Sequence, residues 1–142
     1  MGDIMAEKNK EHQAREILVR LKYLENQMGA AQAQLNAMER GMMEIGNTRM
    51  SISSLKALSK DANSLLPLGS GMFAKGILSK QEKILVDVGA GAIIEKEITE
   101  AEKILDSRES DIKTNIVSIQ TALVNLEREY NELADRARSL SG

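Results

Sequence analysis

The chain has 142 residues, 42% of them hydrophobic, yet only one Phe, two Tyr and no Trp. Such a chain must bury aliphatic and Met side chains rather than rings. With no Cys and a single His, it excludes a disulfide framework, Cys-based metal sites, a His-based zinc site and a Ser–His–Asp triad.

The net charge of −2 hides a division. Residues 1–60 hold nine Lys/Arg against seven Asp/Glu, and residues 97–142 hold six against ten. No block of like charge is long enough to track phosphates, so nucleic-acid binding is not expected. The longest run of apolar residues and Gly, 88–94, falls far short of the ~20 residues that span a bilayer. The start has no basic-then-apolar character, and a soluble, cytoplasmic chain without membrane contact is expected. Translation is open between Met1 and Met5.

The first predicted element is a long helix. Ala14, Ile17, Leu21, Leu24, Met28, Ala31, Leu35, Met38, Met42 and Ile45 follow alternating steps of three and four. That repeat predicts a left-handed coiled coil. The next slot is Arg49, then Ile52. Gly46 lies at this slip, so local unwinding is expected over residues 46–50. Met28, Met38 and Met42 read as seam packing. Met43 and Met50 lie off the seam and are better placed to touch something else. His12, alone on a charged helix end, reads as solvated.

Gly and Pro then concentrate within residues 67–91. Short aliphatic runs at 65–68, 72–78, 84–88 and 92–95, parted by turn residues, predict four strands. Residues 68–75 (LGSGMFAK) and 88–95 (VGAGAIIE) echo one another, which points to two related hairpins. Gly69-x-Gly71 and Gly89-x-Gly91 do not make a dinucleotide loop, because Ala74 and Ile94 stand where a third glycine belongs. Tight turns explain these glycines better. An apolar sheet with open edges requires a partner.

A second long helix follows. Ile98, Glu102, Leu105, Glu109, Ile112, Ile116, Ile119, Leu123, Leu126, Tyr130, Leu133, Ala137 and Leu140 continue the three-four steps. Glu102 and Glu109 either set the register or mark splaying of the pair, and splaying is expected. The carboxylates Glu127, Glu129, Glu132 and Asp135 read as the wet face of the coil. Thr99-x-x-Glu102 is a weak capping box, and the helix start is open between Glu95 and Thr99.

The predicted fold is mainly α with a small β insert: a long antiparallel two-helix coiled coil joined by two β-hairpins. Its parts are residues 1–62, an N-terminal coiled-coil helix; 63–96, a double-hairpin assembly region; and 97–142, a C-terminal coiled-coil helix. No pair of groups suits acid–base chemistry in a dry pocket, so neither catalysis nor a cofactor or metal is expected.

This layout, with Leu66-Pro67-Leu68-Gly69-Ser70-Gly71-Met72-Phe73 and Val86-Asp87-Val88-Gly89-Ala90-Gly91 between the helices, resembles the alpha-class subunit of prefoldin, of archaeal type. The resemblance implies an ATP-independent molecular chaperone. It implies a hexamer of two alpha-class and four beta-class subunits on a β-barrel base. It also implies that coil tips hold unfolded polypeptide and deliver it to a group II chaperonin. Carried onto this chain, it makes Leu66, Leu68, Phe73, Ile77, Ile84, Val86, Val88 and Ile93 assembly residues. Ile4, Met5, Leu133 and Leu140 become candidates for client contact. The alternative is a structural or tethering coiled-coil module that oligomerises through its β insert.

Overall fold

The computed structural model describes residues 2–141. The element order is α1 (Gly2–Ala57), β1 (Ala62–Gly69), β2 (Met72–Leu78), β3 (Lys83–Asp87), β4 (Ile93–Glu97) and α2 (Ile98–Ser141). The two helices with small antiparallel hairpins between them are the architecture the heptads predict. The chain forms two compact units. One combines residues 2–40 with 112–141, and the other is Gly41–Asp111.

In the first unit the seam is aliphatic. Ile17, Leu24 and Leu35 are buried, and Leu24 is sealed completely. The other α1 slots (Ala14, Leu21, Met28, Ala31 and Met38) are half-buried, as are the α2 slots from Ile112 to Leu140. Between them sit Glu, Lys, Arg and Gln, which remain in water. This alternation makes residues 2–40 and 112–141 a coil rather than two separate helices, since isolated helices draw little stability from propensity alone. The helices are also tied by polar contacts. Arg20 donates to Glu129 Oε1 from Nε at 3.0 Å and from Nη2 at 2.8 Å. Tyr130 donates from its hydroxyl to Glu25 Oε1 at 3.1 Å.

The second unit holds the rest of the seam and both hairpins. Ile45, Ile52, Ile98, Ala101 and Leu105 are its buried side chains. Two sequence expectations fail here. Helix α1 runs unbroken through Gly46. Buried Ile45 and Ile52 hold the helix on either side of that glycine, and across the seam the polar slot Arg49 meets carboxylates. Its Nη2 stands 2.6 Å from Glu109 Oε2 and 2.7 Å from Asp106 Oδ1. Hydrogen bonds to Asp106 and then Glu109 hold the guanidinium pKa above its ordinary value. Likewise Lys56 Nζ lies 3.0 Å from Glu102 Oε1. Glu102 and Glu109 therefore pair across the seam, with Ala101 and Leu105 buried beside them, and the expected splaying is absent.

The helix-to-sheet junctions are tight. Leu58 donates its backbone N–H to the Leu55 carbonyl at 3.2 Å, closing α1. Strand β4 passes into α2 with no intervening loop. Thr99 lies inside α2 and does not cap it.

Candidate functional site

The hairpins are built around one repeated turn. Gly69, Ser70 and Gly71 take φ of +104°, +52° and +77°; Gly89, Ala90 and Gly91 take +114°, +54° and +75°. Three consecutive left-handed residues reverse the chain sharply, and glycine at the outer two avoids the Cβ clash. The echo between residues 68–75 and 88–95 is thus one turn used twice. In the second turn Asp87 Oδ1 accepts from the Gly89 N–H at 2.9 Å, and Val88 donates to the Ala92 carbonyl at 3.0 Å. Arg108 Nη2 donates to the Asp87 carbonyl at 2.7 Å and ties this turn to α2. Asp61 Oδ1 accepts from the Lys80 N–H at 3.0 Å and pins the other end of the first hairpin.

Strands β1 and β2 pair antiparallel, with Asn63 opposite Ile77, Leu65 opposite Lys75 and Pro67 opposite Phe73. Residues directly opposite share a face. One face therefore shows Leu65, Phe73 and Ile77, which are 63%, 59% and 73% exposed. The other face places Leu66 opposite Ala74, and Ser64 opposite Gly76. Leu66 lies down toward Gly76, where an added Cβ would come within 3.3 Å of Leu66 Cδ1. A register shift between Pro67 and Gly69 leaves Leu68 unpaired and exposed.

Strands β3 and β4 are two-sided in a different way. Ile84, Val86, Ile94 and Lys96 share one face, on which Ile84, Val86 and Lys96 are half-buried. The opposite face exposes Leu85 and Ile93 among Lys83, Glu95, Asp87 and Glu97. Lys83 and Glu97 form a cross-strand ion pair at 3.8 Å.

Each hairpin is its own two-stranded sheet, so among the described residues the outer edges are unpaired. An isolated hairpin is marginal in water, and these also expose aliphatic side chains. Of the assembly residues expected from the sequence, Leu66, Leu68, Phe73, Ile77, Val88 and Ile93 are exposed, while Ile84 and Val86 are half-buried. The structure brings Leu65, Met72, Leu85 and Ile94 to the same surfaces, all exposed. Sequence reading missed these four. In a continuous run such as Leu65-Leu66-Pro67-Leu68 no alternation marks an inner face, and the available signal was that both faces are apolar.

In the first unit, Ile4 and Met5 stand exposed on α1. Leu133 and Leu140 are half-buried seam residues. Leu133 lines an open depression of about 320 Å³ with Gln13, Glu16, Ile17, Arg20 and Arg136. Among the described residues, no cluster of three or more His, Asp or Glu is placed to hold a metal ion. No helix there is long and apolar enough to cross a membrane.

Coil-forming helices joined by a doubled hairpin, with apolar side chains on its surfaces, define a class: two-helix coiled-coil proteins that carry a pair of β-hairpins in the middle of the chain. Comparison with known proteins fixes which one. The prefoldin subunit family model matches residues 24–142. Prefoldin subunit alpha of Pyrococcus horikoshii is 32% identical over 96% of this chain and 91% of its own length. Those of Thermoplasma acidophilum and Archaeoglobus fulgidus are 26% and 28% identical, over 83% and 89% of this chain and 90% and 95% of theirs. A chain in the cryo-EM structure of filamentous PFD from Methanocaldococcus jannaschii has a similar fold, with a TM-score of 0.54 at 21% identity. That match covers 89% of this chain and 98% of the other. The chain belongs to the prefoldin family, in its alpha class. A prefoldin chaperone-type role comes with that membership.

Proposed function

We propose that the chain is an ATP-independent holding chaperone subunit. It assembles through residues 63–96 and holds unfolded polypeptide with the helix ends remote in sequence from them, within residues 1–62 and 97–142. The observation that carries this proposal is the pair of hairpins with aliphatic side chains on both faces and unpaired edges. That surface is stable in water only when covered. Leu66, Leu68, Phe73, Ile77, Ile84, Val86, Val88 and Ile93 are the proposed assembly residues, and Leu65 and Leu85 join them. The proposed partners are beta-class prefoldin subunits, four to every two alpha, in the cytoplasm. The cargo is non-native polypeptide, delivered to a group II chaperonin. Ile4, Met5, Leu133 and Leu140 are the proposed client contacts. Weak contacts on several arms gain avidity from a shared base.

The test is suppression of aggregation of a denatured protein by the complex of this chain with a beta-class subunit, without ATP. A well-formed complex should slow aggregation. Removing residues 128–142 should impair holding and leave assembly intact. A complex that assembles but leaves aggregation unchanged would instead make the chain a tether.

A further inference from the structure

One face of α1 in the first unit is neither seam nor ordinary wet surface. Val19 and Tyr23, four residues apart and off the heptad slots, are 72% and 49% exposed. With His12, Arg15, Glu16 and Arg20 they line an open concavity of about 550 Å³. One wall is fixed in place. The Arg20 guanidinium carbon lies 4.9 Å from the Tyr23 ring centroid, a cation–π contact. Its two donors to Glu129 hold it there. Glu16 is engaged by His12, with Nε2 3.0 Å from Oε1. Among the described residues Arg15 has no carboxylate partner. Residues 8–23 carry five Lys/Arg against two Glu, so the charge left uncompensated around the apolar floor is positive.

We infer that this concavity binds an apolar side chain of a non-native polypeptide that is flanked by Asp or Glu. The apolar group rests on Val19 and Tyr23, and the carboxylate pairs with Arg15. Charge complementarity selects this occupant over a basic or neutral segment. The inference rests on the client-holding role proposed above and gives it a substrate preference.

Fluorescence anisotropy with the complex of the full chain and a beta-class subunit tests it. Two labelled peptides share the same apolar residues and carry either Asp or Lys at the flanks. The acidic peptide should bind roughly twofold to fivefold more tightly, the range of an exposed ion pair. The preference should shrink as salt rises. Arg15→Glu should reverse it. Lys22→Glu, which makes the same change in net charge outside the concavity, should leave it nearly intact. Val19→Ser should weaken both peptides and keep their ratio. Equal binding by the wild-type complex, no binding of either peptide, or an unchanged ratio in Arg15→Glu would overturn the inference. The same complexes are assayed for suppression of aggregation. Suppression without charge preference removes the inference and spares client holding, whereas absence of suppression removes client holding itself.

Discussion

Single polar residues decide how the two helices are keyed together. Arg49 occupies a seam slot that a regular heptad would fill with Leu or Ile, and Glu109 and Asp106 answer it from α2. Arg49→Glu brings three carboxylates together and should lower the melting temperature. Adding Glu109→Arg should recover part of the loss, and a double-mutant cycle followed by circular dichroism reads the coupling. Tyr130 offers a pH-dependent counterpart. Its hydrogen bond to Glu25, reinforced by the carboxylate charge, raises its pKa above the ordinary 10.0. A pKa raised in the folded state means that this contact stabilises fully below about pH 10 and is lost as pH climbs through the raised value. In a Tyr23→Phe background, absorbance titration should place Tyr130 ionisation higher in the folded chain than in urea. Glu25→Ala should remove the difference. Periodicity revealed the slots that Arg49, Glu102 and Glu109 occupy but not their partners, because a pairing belongs to two helices and each repeat describes only one.

At the scale of elements, the same glycine has opposite meanings in helix and turn. Gly46 is helical, exposed, and has open space where a Cβ would stand. Gly46→Ala should therefore stabilise the chain by about 0.5–1 kcal/mol in urea unfolding. Gly91 also has open space around it but sits at φ +75°. Gly91→Ala should destabilise the second hairpin by about 1–2 kcal/mol, the cost of a left-handed L-residue. Ala90, already left-handed, shows that the turn tolerates one such residue between two glycines. Four strands and two turns were legible from Gly, Pro and the aliphatic runs, yet β1 begins at Ala62 rather than at residue 65. Residues 62–64 are Ala-Asn-Ser, with no strand propensity of their own, and they join the ladder because Leu78, Ile77 and Gly76 pair with them. The unwinding expected at Gly46 failed for a related reason. One glycine costs about 1 kcal/mol, and buried Ile45 and Ile52 on either side outweigh it.

For the whole molecule, the seams bury aliphatic side chains while the hairpin surfaces leave theirs exposed. Phe73→Asp loses about 1.5–3 kcal/mol of burial and forces a charge into an apolar contact. The apparent dissociation constant of the assembled complex should rise a hundredfold or more. Helix ends distant from any shared base should fray first, so amides of residues 3–10 should exchange faster than those of residues 28–38. The low aromatic content acquires a structural meaning here. Phe73 stands on a hairpin face, Tyr130 in a seam slot and Tyr23 beside an open concavity, so none is spent on an ordinary globular core. The double hairpin is proposed to drive hetero-oligomeric assembly. Native mass measurement of the chain mixed with a beta-class subunit tests it most directly. One complex with the mass of two copies of this chain and four of the partner is expected, and it should be lost in Phe73→Asp. Wild-type chain that stays monomeric beside its partner at micromolar concentration would contradict it.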